Sequence, residues 1–134
     1  MKVLIVEDYD ILRRMIIEDL EETLSGIEVY GAENGDEGLN FVARVRPEVV
    51  ITDISLRGID GIEMMKQILA QNCGTRVIVM SGLYDHRDIV DIQKIIQSGA
   101  VKFVPKSSDI TSELIDSVAA LMEQLIPSSE SVIT

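Results

Sequence analysis

Hydrophobic residues follow two different periods along this chain of 134 residues. Short unbroken apolar runs, rich in valine and isoleucine, are typical of strands buried on both faces of a parallel sheet. Four such runs lie at residues 3–6, 49–51, 77–80 and 101–104, and a weaker run lies at residues 27–30. The pattern therefore predicts five parallel strands.

Between and after these runs, apolar residues have the spacing of an α-helix. Apolar residues recur every three or four positions at Leu12, Met15, Ile16, Leu20 and Leu24, at Ile62, Met65, Ile68 and Leu69, and at Leu114, Ile115, Val118, Met122 and Leu125. Capping-box spacing and helix-stop residues agree with this reading, at Asn34 with Glu37, Asp60 with Glu63, Gly26, Gly74, Gly99 and Pro47. Because crossovers between parallel strands are right-handed, five βα units would wind into one α/β domain with helices on both faces of the sheet.

The charge balance narrows the possible partners. The chain has 12 basic and 23 acidic residues, a net charge of -11. Such a domain repels phosphate backbones and anionic lipids, but it can accommodate a divalent cation. The single cysteine fits a reducing compartment, and no apolar stretch approaches the roughly 20 residues of a membrane helix. We expect a cytoplasmic protein that does not contact the membrane.

Chemically active side chains follow the predicted strands. Glu7 and Asp8 end the first strand, Asp53 ends the third, Ser81 ends the fourth, and Lys106 follows the fifth. In an open parallel sheet, ligands bind beyond the carboxyl ends of the strands, so these groups should converge. Carboxylates without histidine or cysteine favour Mg²⁺. A carboxylate beside Mg²⁺ and a lysine is also a suitable nucleophile toward a phosphoryl group.

These motifs resemble those of the receiver domains of two-component response regulators. The resemblance covers residues 2 to about 126 and rests on the acidic pair Glu7–Asp8, on Asp53 followed by IDG at 59–61, on MSG at 80–82 and on GAVKFVPK at 99–106. It implies a flavodoxin-like (CheY-like) five-stranded parallel sheet of order 2-1-3-4-5, with helices on both faces. Residues 1–126 would then form the receiver domain, and residues 127–134 a linker or C-terminal tail.

The resemblance also implies roles for the acidic residues. Asp53 would be the phosphoacceptor, receiving a phosphoryl group from a histidine kinase or a phosphotransfer protein. Asp8, Asp53 and the backbone carbonyl of Ser55 would ligate Mg²⁺, while Glu7 would act through a metal-bound water. Such a domain catalyses its own phosphorylation and dephosphorylation, but it is a signalling module rather than a turnover enzyme.

A second group of residues would bind the phosphoryl group and respond to it. The resemblance implies that Lys106 and Ser81 contact phosphoryl oxygens, with Gly82 beside them. Phosphorylation adds nearly two negative charges. Inward movement of Ser81 toward that charge would leave space for Phe103 to turn in, which would change the surface formed by the last two helices and the last strand.

The remaining features concern the output of the domain and the lifetime of its phosphoryl group. The segment FVPKSS is similar to that of NarL/LuxR-type regulators, so contact with DNA is expected only through an output domain absent from this chain. A homodimer could form through the first and fifth predicted helices or through the fourth and fifth. Arg57 and Ser107 replace the prolines that many receivers carry. Leu83 would hinder an attacking water, which favours slow intrinsic hydrolysis.

Two other functions require residues that this chain lacks, and a third stays open. A phosphatase of the haloacid dehalogenase type needs a second acid two residues after its nucleophile, and this chain has Ser55 there. A nucleotide- or flavin-binding module needs a glycine- or hydroxyl-rich loop after the first strand, where this chain has VEDYD. The alternative that stays open is a pseudo-receiver, an interaction domain that works without phosphorylation.

Overall fold

The computed structural model describes residues 1–54, 61–71, 74–82, 97, 99–107 and 109–125. Its strands are β1 (Lys2–Val6), β2 (Glu28–Ala32), β3 (Val49–Asp53), β4 (Arg76–Ser81) and β5 (Lys102–Pro105). Its helices in these ranges are α1 (Asp10–Thr23), α2 (Gly35–Val45), α3 (Gly61–Gln71) and α4 (Ile110–Leu125). The expected further helix between β4 and β5 falls outside the described residues, as do Ser55, Arg57, Leu83 and the tail at 127–134.

All five strands lie in one parallel sheet of order β2-β1-β3-β4-β5. The prediction of order 2-1-3-4-5 is therefore confirmed. The register pairs Val6 with Thr52, Asp53 with Met80 and Ser81 with Pro105. The last residues of four neighbouring strands consequently lie along the same edge of the sheet, which positions the residues that follow them.

Alternating residues of the central strands fill two separate cores. On one face, residues such as Ile5 and Ile51 pack with buried side chains of α1 and α4. On the other face, residues such as Leu4 and Val50 pack with buried side chains of α2 and α3. Burial on both faces explains why these strands are almost continuously apolar. It also confirms that helices cover both sides of the sheet.

Local signals place the ends of α2. The Asn34 side chain accepts a hydrogen bond from the Glu37 backbone N–H at 2.8 Å, which satisfies one donor of the first turn. The Glu37 carboxylate accepts from the N–H of Glu33 at 3.4 Å, one residue before the N-cap. The helix ends at Val45, and its C-cap residue Arg46 has a left-handed conformation with φ of 52°, directly before Pro47. The capping interaction predicted for Asn34 is confirmed.

Two glycines with positive φ allow a matched test of packing near β5. Gly99 has φ of 120°, and a Cβ there would collide with Cδ1 of Leu69. Gly26 has φ of 80°, but a Cβ there would meet nothing within 4 Å. Gly26→Ala should lower the free energy of unfolding by about 1 kcal/mol, the cost of the left-handed backbone. Gly99→Ala should cost about 2–3 kcal/mol, because its φ lies farther from the left-handed region and a steric clash is added. Urea denaturation measures both, and equal losses would contradict the role given to Leu69.

Candidate functional site

The carboxyl ends of β1, β3 and β5 bring two carboxylates and one ammonium into direct contact. Nζ of Lys106 lies 2.6 Å from Oε1 of Glu7 and 2.5 Å from Oδ2 of Asp53. The backbone holds the lysine in place, since the N–H of Lys106 donates to the Ser81 carbonyl at 2.7 Å. The strand-end placement predicted for these residues is what the structure shows.

Asp8 completes an acidic cluster at this edge. One carboxylate oxygen from each of Glu7, Asp8 and Asp53 lies within 4.8 Å of the others. Glu7 and Asp53 are buried, whereas Asp8 is exposed to solvent. Oxygen donors of this kind suit a hard divalent cation such as Mg²⁺, which binds through one or two carboxylates and keeps several waters. The cluster could therefore hold Mg²⁺.

Glu7 is the least well satisfied member of the cluster. Its side chain is fully buried, and its Oε2 is the buried side-chain oxygen without a hydrogen-bond partner in the described part of the chain. Burial raises the pKa of Glu7 to about 7, against the opposing hydrogen bond from Lys106 and with a further upward contribution from Asp53. A buried carboxylate oxygen without a donor is costly. A water bound to a metal ion in the cluster could donate a hydrogen bond to it.

The charge of Lys106 is stabilised by the same contacts. Burial alone would lower the pKa of the ammonium, but hydrogen bonds to the carboxylates of Asp53 and Glu7 more than offset this, so the pKa is raised. Lys106 therefore stays protonated at neutral pH. It supplies a permanent positive charge between two strand-end carboxylates.

The raised pKa of Glu7 predicts that stability depends on pH in the metal-free protein. Below the ordinary pKa of 4.5 the carboxyl is protonated in both folded and unfolded states, so its favourable contribution is complete there. That contribution is lost as pH rises through about 7, because the folded state must then ionise a buried group. We expect the loss to reach about 2 kcal/mol after allowance for solvent screening.

Glu7→Gln isolates this effect from the other titrating groups. Urea denaturation in a chelator, from about pH 4.5 to about pH 8, should show the variant gaining about 2 kcal/mol relative to wild type. Parallel pH profiles for the two proteins would mean that Glu7 keeps an ordinary pKa.

The other residues singled out from the sequence lie around this cluster. Ser81 is buried at the end of β4, and Gly82 is exposed beside it. A Cβ at Gly82 would lie 3.9 Å from Cδ of Lys106, an ordinary contact. Phe103 is half-buried and packs against the core on the face of α2 and α3. The described residues contain no cis peptide bond, so the bond joining Lys106 and Ser107 is trans.

Two features of the site were missed from the sequence. Glu7 was expected to act through water, and its direct ion pair with Lys106 was not foreseen. Arg13 was also overlooked, although its guanidinium donates to the backbone carbonyl of Glu7 at 2.7 Å. A signal was available, because Arg13 lies three residues after Asp10 in α1 and shares its helix face. Those two side chains form an ion pair at 2.5 Å.

The site and the fold agree with a comparison against protein families. The response regulator receiver domain family matches residues 3–119. The chain belongs to this family. The receiver prediction is therefore confirmed. Receiver domains are signalling domains for which phosphorylation and Mg²⁺ are standard, and they interact with histidine kinases or phosphotransfer proteins.

Curated relatives of this receiver domain differ in their other parts. The chain is 35% identical over 107 residues to a protein-glutamate methylesterase/protein-glutamine glutaminase of Hahella chejuensis, with 79% of the chain and 30% of that protein aligned. It is 30% identical over 120 residues to the transcriptional regulatory protein LiaR of Bacillus subtilis, with 89% of the chain and 54% of LiaR aligned. The chain thus spans about a third to a half of these relatives.

Solved structures share the fold over most of the receiver. The receiver domain of the Francisella response regulator 1452 has a TM-score of 0.78 and 28% identity, with 92% of this chain and 97% of that one covered. A LuxR-family response regulator from Aurantimonas has a TM-score of 0.79 at 24% identity, with 92% and 85% covered, which shows the fold alone. Within the described ranges, every helix falls short of the length and apolar character that a membrane span requires.

Proposed function

We propose that this receiver domain is a Mg²⁺-dependent switch that accepts a phosphoryl group on Asp53. The observation that carries the proposal is the position of the Asp53 carboxylate. Its side chain is 8% exposed, it is hydrogen-bonded to Lys106 at 2.5 Å, and it shares an acidic cluster with Glu7 and Asp8. A nucleophile, a cation and a set of metal-binding oxygens are thereby grouped at the carboxyl ends of neighbouring strands.

The transfer would be an in-line displacement on phosphorus. A carboxylate oxygen of Asp53 forms the new P–O bond while the P–N bond to the histidine of the donor protein breaks, and the electron pair returns to the imidazole nitrogen. Such reactions depend mainly on positioning and on neutralising charge. Lys106 already contacts the Asp53 carboxylate, so its ammonium would contact a phosphoryl oxygen after small movements of its side chain. Bound Mg²⁺ would supply further charge neutralisation.

The metal would be held mainly by Asp8 and Asp53, with the backbone carbonyl of Ser55 as a third ligand. Glu7 is fully buried, and it would contact the metal through a bound water. Its oxygen without a hydrogen-bond partner supports this assignment, because a metal-bound water is a hydrogen-bond donor. The direct bond from Lys106 to Glu7 would then describe the domain without its metal and without its phosphoryl group.

Phosphorylation would be read out through Ser81, Gly82 and Phe103. The Ser81 hydroxyl and the Gly82 backbone N–H are donors at the end of β4, next to the strand that carries Asp53. Movement of Ser81 toward the phosphoryl group would let Phe103 turn inward on neighbouring β5. A change from a rare to a dominant conformation requires about 5 kcal/mol of preference for one state.

We place this domain, residues 1–126, in the cytoplasm as the regulatory module of a transcriptional regulator, with residues 127–134 as a linker or C-terminal tail. The similarity to the transcriptional regulatory protein LiaR supports the role in transcriptional regulation. DNA would be contacted only through an output domain outside these residues, and the domain could form a homodimer. In this role the domain relays a signal and does not turn over an external substrate.

Phosphoryl uptake from acetyl phosphate tests the proposal with the protein as it stands. Intact-mass measurement should show the gain of one phosphoryl group in the presence of Mg²⁺ and none in a chelator. Equal uptake with and without Mg²⁺ would contradict the metal-dependent mechanism. If the protein takes up no phosphoryl group from acetyl phosphate or from phosphorylated donor proteins, the result would favour a pseudo-receiver.

A further inference from the structure

One arginine outside the acidic cluster connects three parts of the fold beside it. The Arg13 side chain is only 11% exposed, and its Nη1 donates to the Glu7 carbonyl at 2.7 Å. Its Nη2 lies 2.5 Å from Asp10 and 3.8 Å from Glu33. Asp10 begins α1, and Glu33 follows β2, so the guanidinium links the end of β1, the start of α1 and the loop after β2.

The sequence of β2 makes room for this side chain. A Cβ at Gly31 would lie 3.2 Å from Cδ of Arg13 and 2.9 Å from Cδ1 of Ile17. Glycine at that position therefore allows the aliphatic part of the Arg13 side chain to lie close to β2. The stem packs there while the guanidinium reaches the strand end, a division typical of buried arginine side chains.

The contact with Glu7 controls the backbone at the acidic pair. The Glu7 N–H donates to the Ala32 carbonyl at 3.0 Å, while the Glu7 carbonyl accepts from Arg13. Because a peptide unit is planar, holding the Glu7 carbonyl also fixes the N–H and the Cα of Asp8. Asp8 is exposed, so packing does little to hold its side chain, and its position depends on this backbone.

We propose that Arg13 is a positioning residue for the magnesium site, and that it holds the Glu7–Asp8 peptide in the orientation that metal binding requires. This inference rests on the proposed function. It predicts that removing the positive charge of Arg13 weakens Mg²⁺ binding, the opposite of what charge alone would do. A positive charge near a cation site lowers metal affinity by Coulomb repulsion, so removing it would tighten binding if charge alone mattered. Loss of positioning weakens binding instead.

Magnesium titration of two matched variants separates these effects. Arg13→Met removes the guanidinium but keeps an apolar stem, and it should raise the Kd for Mg²⁺ about tenfold, as is typical for outer-shell partners. Arg14→Met removes the same charge from the exposed neighbouring position in α1, and should leave the Kd unchanged or slightly lower. Calorimetry on protein stripped with a chelator gives both constants, and urea denaturation shows that each variant is folded.

Binding by folded Arg13→Met as tight as by Arg14→Met would overturn the inference. If Arg13→Met does not fold, Arg13→Lys decides, because lysine keeps the charge but cannot reproduce the planar fork that holds both partners. We expect its Kd to rise about threefold to tenfold, and a wild-type Kd would count against positioning.

A metal-free measurement keeps this inference separate from the proposed function. Hydrogen exchange in a chelator should be faster at the Glu7 amide in Arg13→Met than in Arg14→Met, because the strand end loses one of its two anchors. Equal exchange would overturn the positioning role. Failure of the wild type to bind Mg²⁺ would instead overturn the proposed function, whatever the exchange rates show.

Discussion

Replacing Lys106 by methionine is expected to slow phosphoryl uptake by Asp53 about 100-fold or more. The ammonium lies within hydrogen-bond distance of both Asp53 and Glu7, and burial of these carboxylates strengthens its effect on them. Methionine has a stem of similar length but no charge. The variant would lose the cation that balances the incoming phosphoryl oxygens and would leave two buried carboxylates facing each other.

Lys102→Met is the matched control for this experiment. Lys102 begins β5, the strand that Lys106 follows, and its side chain is exposed. Initial rates of uptake from acetyl phosphate, followed by intact mass at saturating Mg²⁺, should be unchanged in the control. A folded Lys106→Met protein with a rate within about threefold of wild type would remove Lys106 from the mechanism.

Asp8→Asn is expected to weaken Mg²⁺ binding about 100-fold or more, because loss of a direct ligand should cost at least as much as loss of an outer-shell partner. Asp8 is the exposed carboxylate of the cluster, so it provides the approach from solvent to the two buried carboxylates. The amide that replaces it has no negative charge, and hard cations prefer charged oxygen ligands. Phosphoryl uptake should then require a correspondingly higher concentration of Mg²⁺, while the stability of the metal-free protein should change little or rise, since one of three repelling carboxylates is gone.

Asp36→Asn provides the control for charge alone. Asp36 is exposed in the first turn of α2 and does not belong to the cluster. Calorimetric titration should give a Kd close to wild type for this variant. If Asp8→Asn binds Mg²⁺ as tightly as Asp36→Asn, the metal site lies elsewhere.

The strands were predictable because burial on both faces leaves a strong sequence signal. The runs at 49–51 and 77–80 lie inside β3 and β4. Edge strands were placed less well. The run at 27–30 marks β2, which continues through Gly31 and Ala32 because backbone pairing with Ile5 and Val6 outweighs the low strand propensity of glycine. The run at 101–104 is shifted by one residue from β5.

Helix faces were harder to predict than helix positions. The pattern in α1 treats Met15 as equivalent to Ile16 and Leu20, but only the latter two are buried, and Met15 is 41% exposed. Spacings of three and four residues describe a stripe about 100° wide, and they do not show which edge of it faces the sheet. That choice depends on how the helix packs, which the sequence pattern does not contain.

The members of the candidate site could be predicted, but their contacts could not. Strand-end placement brought Glu7, Asp8, Asp53 and Lys106 to one edge, and the resemblance to receivers supplied both their expected roles and the strand order. The ion pair between Lys106 and Glu7 depends on side-chain conformations within a buried space. The contact from Arg13 to the Glu7 carbonyl depends on how α1 lies across β2. Distances of this kind follow only from the packed structure.

Intact-mass measurement of the Asp53→Asn variant shows whether Asp53 is the residue that takes the phosphoryl group. Wild type and Asp109→Asn, which alters an exposed aspartate close to Lys106 in the sequence, should each gain one phosphoryl group from acetyl phosphate with Mg²⁺. Asp53→Asn should gain none, because the neutral amide is not a nucleophile toward phosphorus. A folded Asp53→Asn protein that is phosphorylated at the wild-type rate would show that Asp53 is not the phosphoacceptor.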